Sequence, residues 1–415
     1  MGRPQSGPFL LAEVELDDPP APIRLAPHQD GIGLLARRSG RPVAFALADL
    51  PRGAVLAPEE VARMAAGAGA GDAPAEAAPV AADATPLTLA VCTHDRPELL
   101  RQCLEGMTRA VAADAAAGGH PAPEILVVDN APSGPGTADL VAGVPGVRYA
   151  MEPRAGLDFA RNRALAEARG DVVVFIDDDA VADRGWVTGI RHALARHPDA
   201  AAVTGLVLPF ELETEAQIAF ERRGGFRKGF RAIRYEGDEH EGNAVFPCGS
   251  GAFGVGCNMA VRREHVLAIG GFDEALDTGR PLPGGGDLDI FYRVIRTGGA
   301  LVYEPRMLVF HTHRRTLKQL RRQYWTWGLG FAAFAHKTLR TDPPMRGRML
   351  RTLRWWLGYQ ARELRASVAR GSRVHPAMPA ADLAGGLVGI LLTYPRSVRR
   401  SARIRREVPE AAPPP

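Results

Sequence analysis

The stretch from Asp171 to Asp183, DVVVFIDDDAVAD, constrains this chain more than any other. The run Val172 to Ile176 is uncharged and rich in β-branched residues. A strand covered on both faces tolerates such a continuous apolar run, so the run predicts a buried parallel strand. It ends abruptly in Asp177, Asp178 and Asp179. Adjacent carboxylates repel one another and need a cation, several hydrogen-bond donors or open water. A metal site at the carboxyl edge of an α/β sheet meets that demand, because ligands bind beyond the strand ends there. On this stretch alone a solvated acidic turn meets it equally well. The rest of the chain has to decide.

A length of 415 residues admits one large catalytic domain with appendages, or two to three domains. Hydrophobic residues at 46% and charged residues at 24% describe an ordinary globular chain. A net charge of +4 is too small to call for a nucleic-acid partner. The cysteines, at 92, 103, 248 and 257, form no metal-finger spacing and read as reduced thiols. No secretion signal opens the chain, and the longest charge-free apolar segment, Leu383 to Tyr394, falls short of the roughly 20 residues that span a bilayer. The expected location is cytoplasmic.

Residues 1–64 read as a small α+β domain, with strand-like runs at Ile23–Leu25, Gly33–Leu35 and Pro42–Leu47 and a helix opening at Pro58. Residues 65–86 are Ala, Gly, Pro and Asp with little to bury, hence a linker. The main domain covers 87–315. Strands are predicted at Leu87–Cys92, Glu124–Val128, Val147–Tyr149 and Val172–Ile176, and a helix at Asp158–Ala168, closed by Gly170. This order gives a mostly parallel sheet flanked by helices, with Thr93, Asp95, Asp129 and the acidic triplet on one edge. A further helix is expected at Trp186–Arg196 and a strand at Ala201–Val207, while 211–247 reads as a long insertion or mobile loop. Asp287 and Asp289 stand at the start of a helix, where N-capping is the ordinary reading. Strand-like runs at 301–303 and 307–310 lead into His311-Thr312-His313-Arg314-Arg315, with Lys318, Arg321 and Arg322 beyond; such a cluster suits anionic cargo. Residues 316–406 form a helical extension and 407–415 a disordered tail. The segment 383–406, apolar then Arg-rich, is either a peripheral membrane contact or a core helix with a solvated tail.

Four segments in this order, VCTHDRPELL (91–100), ILVVDNAPSG (125–134), GLDFARNRALAEARGDVVVFIDDDA (156–180) and GGFDE…GGGDLDIFYRV (270–294), resemble family 2 glycosyltransferases of the GT-A fold. FHTHR (310–314) agrees with members in which a late histidine completes a metal site. The resemblance runs from about Leu87 to Phe334. It implies inverting transfer of a sugar from a nucleotide diphosphate (UDP-, GDP- or dTDP-sugar) to a hydroxyl acceptor, free or lipid-linked. By the same resemblance, Asp177, Asp179 and His311 would hold Mn2+ or Mg2+, with His313 the competing ligand. Asp178 would bind the ribose and Asp129 the nucleobase. Thr93, Asp95, Arg96, Gly156 and Arg161 would line the nucleotide site, Arg314 and Arg315 would steady the diphosphate, and Asp287 would be the general base, fixed with help from Arg293. The family commonly has Glu-Asp where this chain has Gly286-Asp287. Two other readings stand beside this one. A sugar-phosphate nucleotidylyltransferase would need a Gly-rich phosphate loop after the first strand, where this chain has Thr93-His94-Asp95-Arg96. A non-catalytic nucleotide or glycan binder would have no use for the base.

Overall fold

A computed structural model describes residues 7–69, 83–279, 282–369 and 375–409. Most of the expected linker (70–82) and of the expected tail (410–415) lies outside the described residues.

The amino-terminal segment forms β1 (Phe9–Glu15), β2 (Ile23–Arg24), β3 (Gly31–Arg38), β4 (Arg41–Asp49) and β5 (Val55–Leu56), followed by the helix Pro58–Gly67. β1, β3 and β4 make one sheet; β2 and β5 pair separately. Three strands bury too little by themselves, and this sheet leans on the main domain. Phe9 packs with Leu212 and Ile218, and Arg37 pairs with Asp183 at 2.6 Å, both largely buried.

The main sheet contains β6 (Leu87–Thr93), β7 (Glu124–Asn130), β8 (Val147–Glu152), β9 (Val172–Asp177), β10 (Ala180–Ala182), β11 (Ala200–Pro209), β12 (Ile233–Tyr235), β13 (Asn258–Arg262) and β14 (Ala300–His311). Its order is β10-β14-β11-β13-β9-β6-β7-β8, with β12 also on β14. β6 to β9, β11 and β14 run in one direction; β13, β10 and β12 run against them. Side chains of β9 alternate between two cores. Val172, Val174 and Ile176 meet Leu104, Met107, Trp186 and Ile190, whereas Val173 and Phe175 meet Ala160, Ala164, Ile290 and Phe291. Both faces are covered, which is why the strand reads as continuous apolar sequence.

Several expectations change. The helix Leu157–Glu167 ends at Ala168 in extended backbone, not at Gly170. Gly170 is there for close approach: a Cβ would come within 2.6 Å of the Leu87 and Thr88 backbone. The segment 211–247 contains the helix Glu215–Arg222, capped by Thr214, and β12. The expected helical extension consists of Leu317–Thr341, Arg346–Val368, Ala377–Val388 and Tyr394–Glu407. These helices touch the main domain while the arginines Arg396, Arg399, Arg403 and Arg406 stay exposed. Lys337 Nζ lies 2.7 Å from both Asp273 and Asp289, Tyr394 donates to Asp273 at 2.9 Å, Ser397 meets Thr278 at 2.9 Å, and Arg405 pairs with Glu274. Among the described residues no helix is long and apolar enough to cross a membrane.

Candidate active site

The parallel strands bring their carboxyl ends into register, with Cys92 opposite Asp177 and Thr93 opposite Asp129. β13 begins at this same edge, Asn258 facing Ile176. β14 ends there at His311, opposite Ala180. Residues more than 200 positions apart in the chain thereby share one edge.

The acidic triplet divides by environment. Asp178 is 5% exposed. Its Oδ2 accepts from the Thr93 hydroxyl at 2.8 Å and its Oδ1 from Arg96 Nη1 at 3.1 Å. Burial raises its pKa, Arg96 opposes the rise, and Asp179 adds to it. Asp179 is also buried, and burial alone would raise its carboxyl. The charge and hydrogen bond of His311, with Nε2 3.2 Å from Oδ1, outweigh this, and Arg314 and Arg96 add to the effect. Asp179 is therefore held well below the usual carboxylate range. Asp177 has the most open side chain, 36% exposed, and lies 3.9 Å from Arg161. Desolvation pushes it up to about 6 against the pull of Arg161, with Asp179 adding repulsion.

The nucleotide-side residues frame the adjoining cleft. Asp95, in left-handed backbone (φ 53°), accepts from the Ser133 N–H at 3.0 Å. Gly156 donates its N–H to Asn130 Oδ1 at 2.9 Å and must be glycine: its φ is 145°, and a Cβ would lie 3.0 Å from the Asp277 carbonyl. Asp129 is fully buried, with Oδ2 accepting from Tyr149 at 3.0 Å. Its Oδ1 has no hydrogen-bond partner of ordinary geometry. Burial raises its pKa, while Tyr149 and the nearby Thr137 pull the other way.

On the opposite side the helix Gly286–Arg296 carries Asp287 and Asp289, but the cap is Gly285 in left-handed backbone, φ 110°. Asp287 is half-buried. Its Oδ2 accepts from the Gly256 N–H at 3.2 Å and its Oδ1 from the Leu288 N–H at 2.9 Å. Gly256 permits this closeness: a Cβ there would lie 2.9 Å from Arg161 Nη2 and 3.1 Å from Asp287 Cβ. Asp289 turns away, buried against Arg293 at 2.6 Å and Lys337 at 2.7 Å. Arg293 also donates to the carbonyls of Ile269 and Gly271, so it holds that loop and not the base. Arg315 is engaged by Glu211, whereas Arg314 stays at the cleft, 41% exposed.

Sequence reasoning missed three residues. Asp158 is fully buried, accepts from Arg161 at 3.0 Å, and leaves Oδ2 unpartnered. A Cβ on Gly286 would lie 2.0 Å from that oxygen, so the Asp158 carboxylate fills the space beside the base that a side chain at 286 would need. Burial pushes Asp158 up to about 7 against Arg161, with Asp273 and Asp287 adding to the rise. Burial lowers the pKa of Lys228, from the segment read as a mobile loop, and the charge of Asp287 opposes the fall. Glu221 reaches His313. The rarity of lysine, three in the chain, was the only available signal for Lys228.

Asp177, Asp179 and His311 offer two hard oxygens and an imidazole, a donor set that fits Mn2+ and, less well, Mg2+. Asp179 and His311 are already paired and Asp177 is open beside them. Among the described residues no group of three or more His, Cys, Asp or Glu side chains is arranged to hold a metal ion as it stands. Arg96, Arg161 and Arg314 carry the compensating charge.

Residues 88–270 match the family model described as glycosyl transferase family 2; Asp287 and His311 lie beyond that segment. A pre-mycofactocin glycosyltransferase of Mycobacterium tuberculosis is 27% identical over 197 residues, 47% of this chain and 38% of that protein. The succinoglycan biosynthesis protein ExoM of Rhizobium meliloti is 28% identical over 233 residues, 54% of this chain and 65% of that one. The chain thus spans less than two thirds of either relative. A mannosyltransferase from Pyrobaculum calidifontis, solved with GDP-Man and Mn2+, aligns at TM-score 0.46 and 19% identity over 78% of this chain and 87% of its own. The family match and these relatives agree that residues 88–270 are similar to glycosyltransferase family 2 domains.

Proposed function

We propose that the chain transfers a sugar, with inversion, from a nucleotide diphosphate to an acceptor hydroxyl. The observation that carries this reading is the Asp287 carboxylate, fixed by two backbone N–H groups at the edge where the acidic strand end, Arg161 and Arg314 gather. Inversion needs an acceptor oxygen that attacks the anomeric carbon from the side opposite the departing diphosphate. As the new C–O bond forms, Asp287 takes the hydroxyl proton, and the electrons of the broken bond leave with the diphosphate. Its two N–H donors aim the carboxylate without neutralising it. A divalent cation held by Asp177, Asp179 and His311 would supply electrostatic stabilisation of the leaving diphosphate. Arg314 adds a guanidinium fork to the same phosphates. Asp129 offers its unsatisfied oxygen to a base N–H, and Asp178, held by Thr93 and Arg96, stands at the ribose.

The test is Asp287→Asn. It is expected to fold and to bind a nucleotide sugar found by thermal-shift screening with Mn2+, and to lose transfer by about 10²- to 10⁴-fold. Near-normal turnover would remove Asp287 as the base.

The same reading includes a lipid-linked acceptor met at a membrane surface. Leu387, Val388, Ile390 and Val398 are exposed at 59%, 51%, 37% and 40%, in a segment that continues into Arg396, Arg399, Arg400 and Arg403. Truncating this region would cut the ties from Tyr394 and Ser397 to the site loop. The paired substitution Leu387→Asp with Val388→Asp is the cleaner probe. Sedimentation with anionic vesicles should fall at least severalfold, and unchanged partitioning would sink the membrane contact.

A further inference from the structure

Behind His311 runs a line of hydrogen-bonded groups that the transfer chemistry leaves unused. His311 Nδ1 lies 3.1 Å from His313 Nδ1, and His313 Nε2 lies 2.8 Å from Glu221 Oε1. All three residues are buried, at 6%, 3% and 1% exposure. Phe226 and Phe220 pack edge-on against the two imidazoles, with centroids 4.8–5.7 Å apart, and Gln217 Nε2 donates to the His313 carbonyl at 3.3 Å. On the far side of Glu221, Arg227 binds its other carboxylate oxygen and donates to its carbonyl at 3.1 Å.

Proton counting gives this line a direction. The charge of Glu221 is matched by Arg227, so its carboxylate only accepts, and His313 Nε2 must carry the hydrogen between them. With its Nε2 hydrogen directed at Glu221, the His313 ring turns Nδ1 toward His311 as an acceptor. The 3.1 Å contact to His311 then requires the hydrogen on His311 Nδ1. That leaves His311 Nε2, the atom 3.2 Å from Asp179 Oδ1, as the one nitrogen free to exchange a proton for a cation.

We propose that Glu221 and His313 are positioning residues that fix the tautomer of His311 and so present its Nε2, with Asp179, to a divalent metal. The inference rests on the reading of Asp177, Asp179 and His311 as a metal site. It also gives the helix Glu215–Arg222 a purpose, since that helix carries both Gln217 and Glu221. Metal-ligating histidines commonly depend on such outer partners, whose loss weakens binding about 10- to 100-fold.

The experiment measures Mn2+ binding to the full chain without nucleotide, by calorimetry and by electron paramagnetic resonance. It adds 15N spectra of imidazole-labelled, metal-free protein. Glu221→Gln is nearly isosteric, but its amide can donate and so permits the reversed line, with hydrogen on His311 Nε2. It should lose about 10-fold in Mn2+ affinity and turn the His311 Nδ1 signal from protonated toward a mixture. His313→Leu should lose about 100-fold, while His313→Asn, which keeps an acceptor facing His311 Nδ1, should recover most of it. A purely structural role would lower the thermal midpoint of these variants without touching the tautomer. If wild type binds Mn2+, Asp179→Asn abolishes binding, and Glu221→Gln binds like wild type with an unchanged tautomer, the relay is wrong and the metal site stands. If wild type binds no Mn2+, or Asp179→Asn leaves binding intact, the metal site itself falls and the relay with it. Should His313→Leu fail to fold, the Glu221→Gln affinity and tautomer decide.

Discussion

The acidic strand end and the loop of the base lie at the same sheet edge but are built by different means. At the strand end two buried carboxylates of the triplet meet their own donors: Thr93 and Arg96 hold Asp178, while His311 and Arg314 hold Asp179. Short parallel strands deliver these groups directly, and their charges are locally matched. Around the base the geometry depends on glycines. Gly256 admits Arg161 and Asp287 together, and Gly286 admits the Asp158 carboxylate. Charge there is only partly matched: Arg161 is shared between Asp158 at 3.0 Å and Asp177 at 3.9 Å, and one Asp158 oxygen has no hydrogen-bond partner. The difference teaches where a change of one methyl group should matter. Matched ion pairs tolerate small shifts of position, while a glycine-gated contact between a carboxylate and a backbone does not.

Gly286→Ala tests this most severely. Its new Cβ would meet Asp158 Oδ2 at 2.0 Å. Overpacking of this kind costs about 1–3 kcal/mol and displaces the helix start that aims Asp287. Both stability and kcat should fall. If Gly286→Ala alone is neutral in chemical denaturation and in turnover, the crowding around the base is not a constraint and the contrast between the two regions is lost.

Asp129→Asn probes the strand-end side. The amide keeps an acceptor for Tyr149 or for a base N–H, but cannot offer ionised oxygens to both. Donor affinity should drop about 10-fold, or 1.4 kcal/mol, with kcat nearly unchanged. That would be the opposite of Asp287→Asn, which should spare donor binding and remove turnover. A fall in kcat with intact donor binding would place Asp129 in the chemistry instead of in recognition.

These two regions were also unequally legible. Strand β9, the helix after Gly156 and the convergence of Thr93, Asp129 and Asp177 at one edge follow from hydrophobic runs that end in polar residues, a local pattern. The antiparallel insertion of β13 between β9 and β11 has no such signature, because five residues of strand look alike in either direction. The helix Glu215–Arg222 is only eight residues long, too short for its periodicity to stand out from the surrounding Gly and Arg. Asp158 was visible as a residue but not as a neighbour of Gly286, since a contact across 128 positions is a product of packing. Asp289 looked like a cap, and its true partners, Arg293 and Lys337, come partly from a helix that seemed separate from the catalytic domain.

That last point extends to the carboxyl-terminal helices, which behave like the base loop and unlike the strand end. Asp382 is 6% exposed and accepts from Gln360. Burial pushes its pKa from 3.8 up to about 7, against the weaker pull of Arg223. Because the folded-state pKa lies above the unfolded one, the folded chain holds this proton more tightly. Wild-type stability should therefore decline as pH rises from about 4 to about 7, and the full penalty persists above that window. Asp382→Asn keeps the acceptor for Gln360 and removes the charge. The variant should match wild type near pH 4 and exceed it at pH 8. The weaker pull of Arg223 is already contained in that shift, so the gain at pH 8 should be on the order of a few kcal/mol, or several degrees in thermal midpoint. A midpoint difference that is the same at both pH values would mean that Asp382 does not carry an unmatched charge. In that case the contrast between matched and unmatched carboxylates would be confined to the loop of the base.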